Sequence, residues 1–124
     1  MIDFKNSSFV KLKEISKEDG EKAVSMMLLD NENVFAAFKA IRDMVIFTDK
    51  RIISINVQGV TGAKKDYTSL PYSKVQVFSV ETSGTLDMDA ELELWFSGCG
   101  KVKFEFKSTF DIAGFNKILS EYIL

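Results

Sequence analysis

Four acidic side chains recur at every second position late in the sequence: Asp87, Asp89, Glu91 and Glu93. Carboxylates that converge can hold a divalent cation or share a proton for acid–base work. Strict alternation instead spreads these along one strand face, where they meet solvent or a neighbouring subunit's lysines. Cys99, between Gly98 and Gly100, reads as a hairpin-tip thiol with no His to activate it. Gly59-Val60-Thr61-Gly62 lacks the Lys-Ser/Thr ending and following helix of a phosphate loop, and reads as a turn. Arg42-Asp43 is either a ligand grip or subunit contact, or a turn-stabilising pair inside the domain. Thr48-Asp49-Lys50-Arg51 is either an anion-binding corner or a solvated hairpin turn.

The chain contains no His, which removes the commonest general base and the commonest transition-metal ligand. A His-based triad, a His metal site and an imidazole proton shuttle are excluded. No metal, cofactor or catalytic residue is expected. Sixteen Lys+Arg stand against 18 Asp+Glu, a formal charge of −2, without the basic excess of a general nucleic-acid binder. The single cysteine precludes an internal disulfide and points to a reducing compartment, so a cytoplasmic location is expected. The longest apolar stretch in the N-terminal third, Ala23 to Leu29, is too short to span a bilayer, and Met1 to Ser8 does not read as a signal peptide.

The elements that position these residues follow from periodicity. At 124 residues, with no repeat or linker, one domain over 1–124 is expected. Residues 1–30 are expected as an N-terminal helical extension, its helix capped by Ser16 with Asp19 three residues on. Ala23, Met26 and Met27 supply its apolar positions. Strands follow. Val34, Ala36, Phe38 and Ala40 share one face of the first by the two-residue pleat. Met44 to Thr48 is apolar on both faces, and the Asp49-Lys50 turn sets Ile46 beside Ile53 and Met44 beside Ile55. Its second face, Val45 and Phe47 continued by Ile52, needs a cover from a helix or another chain. Further strands are expected around Lys65 to Leu70 and Lys74 to Thr82, with Pro71 at the bend between them.

The last hairpin declares its two faces most openly. Leu86, Met88, Ala90, Leu92, Leu94 and Phe96 alternate with polar residues, and Val102, Phe104 and Phe106 do the same on the return strand. A three-residue loop, Gly98-Cys99-Gly100, predicts Phe96 opposite Val102, Leu94 opposite Phe104 and Leu92 opposite Phe106. Trp95 then faces Lys103, Glu91 faces Lys107 and Glu93 faces Glu105 on the outer side. Trp95 points away from the core, either covered by its lysine neighbour or anchoring a partner. A C-terminal helix, capped by Ser108, Thr109 or Asp111, carries the stripe Phe115, Ile118, Leu119, Tyr122 and Ile123. The fold class is mainly β: about seven antiparallel strands with a closing helix, and a barrel would hide the sheet edges.

Several separated segments resemble the bacterial pleckstrin-homology (PH) domain family in order and spacing. They are Phe38-Lys39-Ala40-Ile41-Arg42-Asp43, Phe47-Thr48-Asp49-Lys50-Arg51-Ile52-Ile53, Val57-Gln58-Gly59-Val60-Thr61-Gly62, and Phe78 to Gly84 with Asp87 to Leu92. The resemblance covers roughly Leu29 to the end. It implies a PH-like barrel of two near-orthogonal antiparallel sheets, with a C-terminal helix over one open end. It also implies ring-shaped homo-oligomers and a largely undefined family function. The basic loop of phosphoinositide-binding relatives is thin here, with Lys39 and Arg42 partly offset by Asp43.

The leading expectation is a non-enzymatic interaction module that assembles with itself and recruits an unidentified protein. The contact residues expected are Lys39, Arg42, Asp43, Phe47, Lys50, Arg51 and Trp95. The competing expectations are a peripheral membrane module for anionic lipid headgroups, and an enzyme working by carboxylates alone.

Overall fold

The computed structural model describes every residue except 2, 5–8, 86–88 and 108–109, and all side chains of the rest but that of Val10. Leu86, Asp87, Met88 and the alternative caps Ser108 and Thr109 lie outside the described residues. The order is β1 (Phe9–Ile15), α1 (Lys17–Val24), β2 (Val34–Lys39), β3 (Met44–Thr48), β4 (Arg51–Gln58), β5 (Lys64–Pro71), a 3-10 turn (Tyr72–Lys74), β6 (Val75–Glu81), β7 (Ala90–Phe96), β8 (Gly100–Phe106) and α2 (Ile112–Ile123). Two corrections follow. Eight strands are described instead of about seven, and the N-terminal region is a strand followed by a short helix instead of a helical extension. β1 mixes Lys11, Lys13 and Glu14 with its buried Phe9 and Leu12, so its period is broken and its strand signal weak.

The chain forms two compact units, one of Glu14–Pro71 with the first two residues, the other of Asp3–Lys13 and Tyr72–Leu124. Strand order is β5-β4-β3-β2 in the first and β1-β8-β7-β6 in the second, so each row is open and ends on an edge, β5 or β6. Closure into a barrel is not seen in these pairings.

In the first unit α1 starts as its sequence dictates. Ser16 is extended, and its hydroxyl accepts from Asp19 N at 3.1 Å. The helix lies on the β2–β4 face through Val24, which packs with Val34, Ala37, Ile46, Ile53 and Ile55. A bulge at Phe35 puts Val34 on the same face as Ala37, not Ala36 as strict alternation requires. The β3–β4 register is the expected one, Met44 opposite Ile55 and Ile46 opposite Ile53. On the other face Phe38 meets Phe47 edge to face, centroids 5.7 Å apart. Val45, Phe47 and Ile52 are fully buried within this single chain, so no second chain is needed to cover them.

In the second unit β1 runs parallel to β8, pairing Phe9 with Phe104 and Leu12 with Phe106 around an irregularity where Lys11 takes φ 56°. The β7–β8 hairpin differs from expectation by a two-residue slide: Phe96 faces Gly100, Leu94 faces Val102 and Leu92 faces Phe104. The loop is Ser97-Gly98-Cys99, one position earlier, with Gly98 and Gly100 both at positive φ. Both registers keep apolar residues opposite apolar ones, so alternation cannot choose between them. Asp111 caps α2, its carboxylate accepting from Gly114 N at 3.0 Å. The buried stripe is Ile112, Phe115 and Leu119, narrower than expected, with Ile118 and Tyr122 on its exposed flank. Phe106, Phe110 and Phe115 cluster with centroids 5.0–5.8 Å apart.

Gly20 fixes how closely α1 approaches the strands, since a Cβ there would stand 2.5 Å from the Ala37 Cβ. Alanine raises intrinsic helix propensity by about 1 kcal/mol. The collision should outweigh this, and Gly20→Ala is expected to destabilise by about 1–3 kcal/mol. Urea denaturation checks it; an unchanged or raised midpoint would refute the close packing.

Candidate functional site

The candidate residues separate into places with different roles. A hydrogen-bonded polar cluster lies in the first unit around Glu32, only 6 % exposed in the segment leading to β2. Arg51, at the start of β4, grips it with two parallel bonds, Nε to Oε2 and Nη2 to Oε1, each 2.9 Å. The same guanidinium donates to the Met27 carbonyl at 2.8 Å and to Ser69 Oγ at 3.0 Å. Thr48 Oγ1, buried at the end of β3, donates to Glu32 Oε2 at 2.7 Å and accepts from Lys50 N and Arg51 N. Leu29 N donates to Glu32 Oε1 at 3.2 Å. Burial alone would raise the Glu32 pKa, but the bonds from Arg51, Thr48 and Leu29 outweigh it and hold the carboxyl below its ordinary value. Every oxygen of this carboxylate is engaged, so the site binds its own chain and not a substrate. Lys50 remains exposed at the hairpin tip.

At the opposite end of the β3–β4 hairpin, Arg42 and Asp43 each bond to the backbone of β4 or its loop. Arg42 Nη2 donates to Gly59 O at 2.6 Å. Asp43 accepts from Val57 N at 2.8 Å and from Asn56 Nδ2 at 3.2 Å. These bonds draw the β2–β3 turn onto the β4–β5 loop. Each loop then presents one aliphatic side chain to solvent, Ile41 at 95 % and Val60 at 102 % exposure. Lys39, Lys64 and Lys65 are exposed on the adjoining strand ends. Phe47, fully buried, cannot make an outward contact.

Trp95 lies in the second unit, on the outer face of β7. It stands opposite Lys101 on β8, not Lys103, and opposite Val77 on β6. Trp95 is 49 % and Val77 62 % exposed. Along the same face Glu93 opposes Lys103 and Glu91 opposes Glu105. The ion pairs run diagonally, Lys103 to Glu91 at 3.2 Å and Lys101 to Glu93 at 3.9 Å. Glu105 is raised by burial first and then by its hydrogen bond and repulsion with Asp89, whose Oδ2 also meets Lys11 Nζ at 3.3 Å. Among the described residues no group of three or more potential ligands could hold a metal ion, and Asp87 is outside them.

The structure thus gathers Lys39, Arg42 and Asp43 at one end of the hairpin and Lys50 and Arg51 at the other. Glu32, Ile41, Val60 and Val77 were missed by the sequence reading. A lone Glu in a polar linker carries no pattern, and single aliphatic residues in turns resemble any other loop positions.

A family model described as "Bacterial PH domain" matches residues 3–123. The uncharacterized protein YjqA of Bacillus subtilis (strain 168) is 42 % identical over 102 residues, 81 % of this chain and 82 % of that protein. A DUF1696 family protein with a pleckstrin-homology domain from Shewanella loihica PV-4 superposes with a TM-score of 0.80 at 40 % identity, covering 93 % of this chain and 99 % of that one. A pleckstrin-homology domain from Shewanella amazonensis SB2B gives 0.66 at 42 % identity, covering 96 % and 93 %.

Replacing Arg51 with methionine leaves the Glu32 carboxylate buried without its main partner and should cost about 3–5 kcal/mol at neutral pH. Because the folded pKa of Glu32 is lowered, its contribution is fully present above the ordinary value of 4.5 and is lost as pH falls through the folded value. The deficit of Arg51→Met should therefore shrink on acidification. Denaturant titrations across the acid range test this, and a small, pH-independent loss would contradict it.

Proposed function

The chain belongs to the bacterial PH domain family, with a PH-like, mainly β fold, and from that premise we propose that it is a non-enzymatic interaction module that associates with further copies of itself and with a protein partner. The observation that carries this reading is the outward pair of Val77 and Trp95, directly opposite each other on an open edge of the second unit. Tryptophan is enriched among the residues that anchor interfaces. The ionised side chains support a non-catalytic reading, since Glu32 and Arg51 are consumed by each other and the β7 carboxylates pair with lysines along a strand face. The reading takes the whole chain as one domain working in the cytoplasm; among the described residues no helix is long and apolar enough to cross a membrane.

Light scattering at micromolar concentration is expected to give a mass above the 14.0 kDa of one chain. Trp95→Ala should weaken association by about 30-fold or more, the effect of losing an interface anchor worth about 2 kcal/mol. A strict monomer would end the assembly part of this reading, and an unchanged association constant would remove Trp95 as its anchor.

The twin tips favour a second reading, contact with an anionic membrane surface. Ile41 and Val60 are almost fully exposed, each is the sequence neighbour of one partner of the Arg42–Gly59 bond, and Lys39, Lys64 and Lys65 are exposed on the adjoining strand ends. Aliphatic tips can enter the interface while cations nearby contribute about 1 kcal/mol each against anionic lipid. Co-sedimentation with phosphatidylserine vesicles at low salt should be lost in Ile41→Asp/Val60→Asp and on adding salt. Absence of wild-type binding at low salt would dispose of this reading.

A further inference from the structure

The loop end of the first unit is charged unlike the chain as a whole. Segments 39–43 and 58–65 hold Lys39, Arg42, Lys64 and Lys65 against the single carboxylate of Asp43, in a chain whose formal charge is −2. All four cations are exposed. At the same end Ile41 and Val60 stand at 95 % and 102 % exposure, in turns that normally carry polar residues. Val60 projects from a turn shaped by Gly59 and Gly62, both at positive φ, with Thr61 Oγ1 accepting from Ala63 N at 3.3 Å. Bare aliphatic tips among cations match the chemistry of a bilayer surface with anionic headgroups.

The cations are not arranged to grip any one headgroup. Arg42 carries the guanidinium of these two segments, the group suited to holding a phosphate by two parallel bonds. It is turned onto its own chain: Nη2 donates to Gly59 O at 2.6 Å and would stand 3.3 Å from a Cβ at Gly62. Asp43 is likewise held, by Val57 N and Asn56 Nδ2. The other cations are lysines, compact charges on flexible stems. Lys64 and Lys65 are successive residues of β5, opposite Gln58 and Val57, so the pleat sends them to opposite faces. Lys39 lies on β2, with β3 and β4 between it and β5. Charges so spread attract a charged surface without converging on one ligand.

We propose that this end of the first unit inserts Ile41 and Val60 into an anionic bilayer and responds to its surface charge and packing defects, not to headgroup identity. The proposal rests on the membrane reading above and supplies its ligand chemistry. Arg42 and Asp43 are positioning residues, which tie the β2–β3 turn to β4 and its loop and leave the two aliphatic side chains outside. The lysines draw the surface in by an attraction that salt screens. The tips then bury apolar area that the folded chain leaves in water. Short branched side chains enter where headgroups part, and curvature or loose packing opens such gaps.

Vesicle co-sedimentation of the full chain tests this. Phosphatidylglycerol, phosphatidylserine and phosphatidylinositol phosphate, each diluted in phosphatidylcholine to the same total charge, are expected to bind it equally. Sonicated vesicles should bind it more tightly than large extruded ones of the same lipids. Ile41→Ser/Val60→Ser leaves every charge in place and should weaken binding roughly tenfold or more, with the circular dichroism spectrum unchanged. A polarity-sensitive dye on Val60→Cys, in a Cys99→Ser background, should shift to the blue on vesicles. The same dye on Lys50→Cys, at the other end of the β3–β4 hairpin, should not. Binding that follows one headgroup at matched charge, or that survives the serine pair undiminished with the Val60→Cys dye still in water, would overturn this inference while leaving membrane contact intact. A wild-type chain that stays off every vesicle at low salt would overturn both.

Discussion

Burying a carboxylate among strands is costly unless each of its oxygens finds a donor, and the first unit is arranged around meeting that demand at Glu32. The bidentate Arg51 grip, the Thr48 hydroxyl and the Leu29 amide supply the donors. In doing so they join three stretches of chain: the exit from α1 through the Met27 carbonyl, the linker bearing Glu32, and the β3–β4 turn. An apolar replacement of the pair could match its stability, because desolvation absorbs much of the Coulombic gain. What the pair adds is a defined position. It holds the end of α1, and with Gly20 pressed on Ala37 it sets the depth at which the helix covers Ile46, Ile53 and Ile55.

The same hairpin has its other end held by Asp43 and Arg42, which bond to backbone and so act as turn supports. Their fixed charges leave Ile41 and Val60 outside, where turn residues are normally polar. The second unit shows a parallel economy on its outer face. Lysines and glutamates neutralise one another diagonally along β7 and β8, while Trp95 and Val77 stand opposite each other and leave apolar surface exposed on that face.

Much of the architecture was legible beforehand. The β3–β4 register, the Ser16 cap and the inward faces of β7 and β8 follow from local periods of two and from short-range capping chemistry, and they appear as expected. Three things were not legible, each for its own reason. β1 has no clean alternation, because Lys11 sits in a left-handed irregularity that breaks the pleat. The Phe35 bulge swaps the face of Val34 relative to Ala36 without any residue that marks it. The hairpin slide leaves the hydrophobic pattern unchanged, so the choice fell to where glycines could take positive φ.

The missing histidines, the outward character of Trp95 and the mainly β class ending in a helix were determined by the sequence alone. They are properties of composition and of neighbours within a few residues. Which partners the charged residues take was decided only by the tertiary structure. Arg51 lies 19 residues from Glu32, Arg42 lies 17 from Gly59, and Phe47 is hidden where a two-faced strand left its cover open. Distances of that kind are set by chain crossing and packing, which no local period encodes. The helix that closes the chain survived the comparison with a narrower stripe, because burial depends on what lies opposite as well as on spacing along the helix.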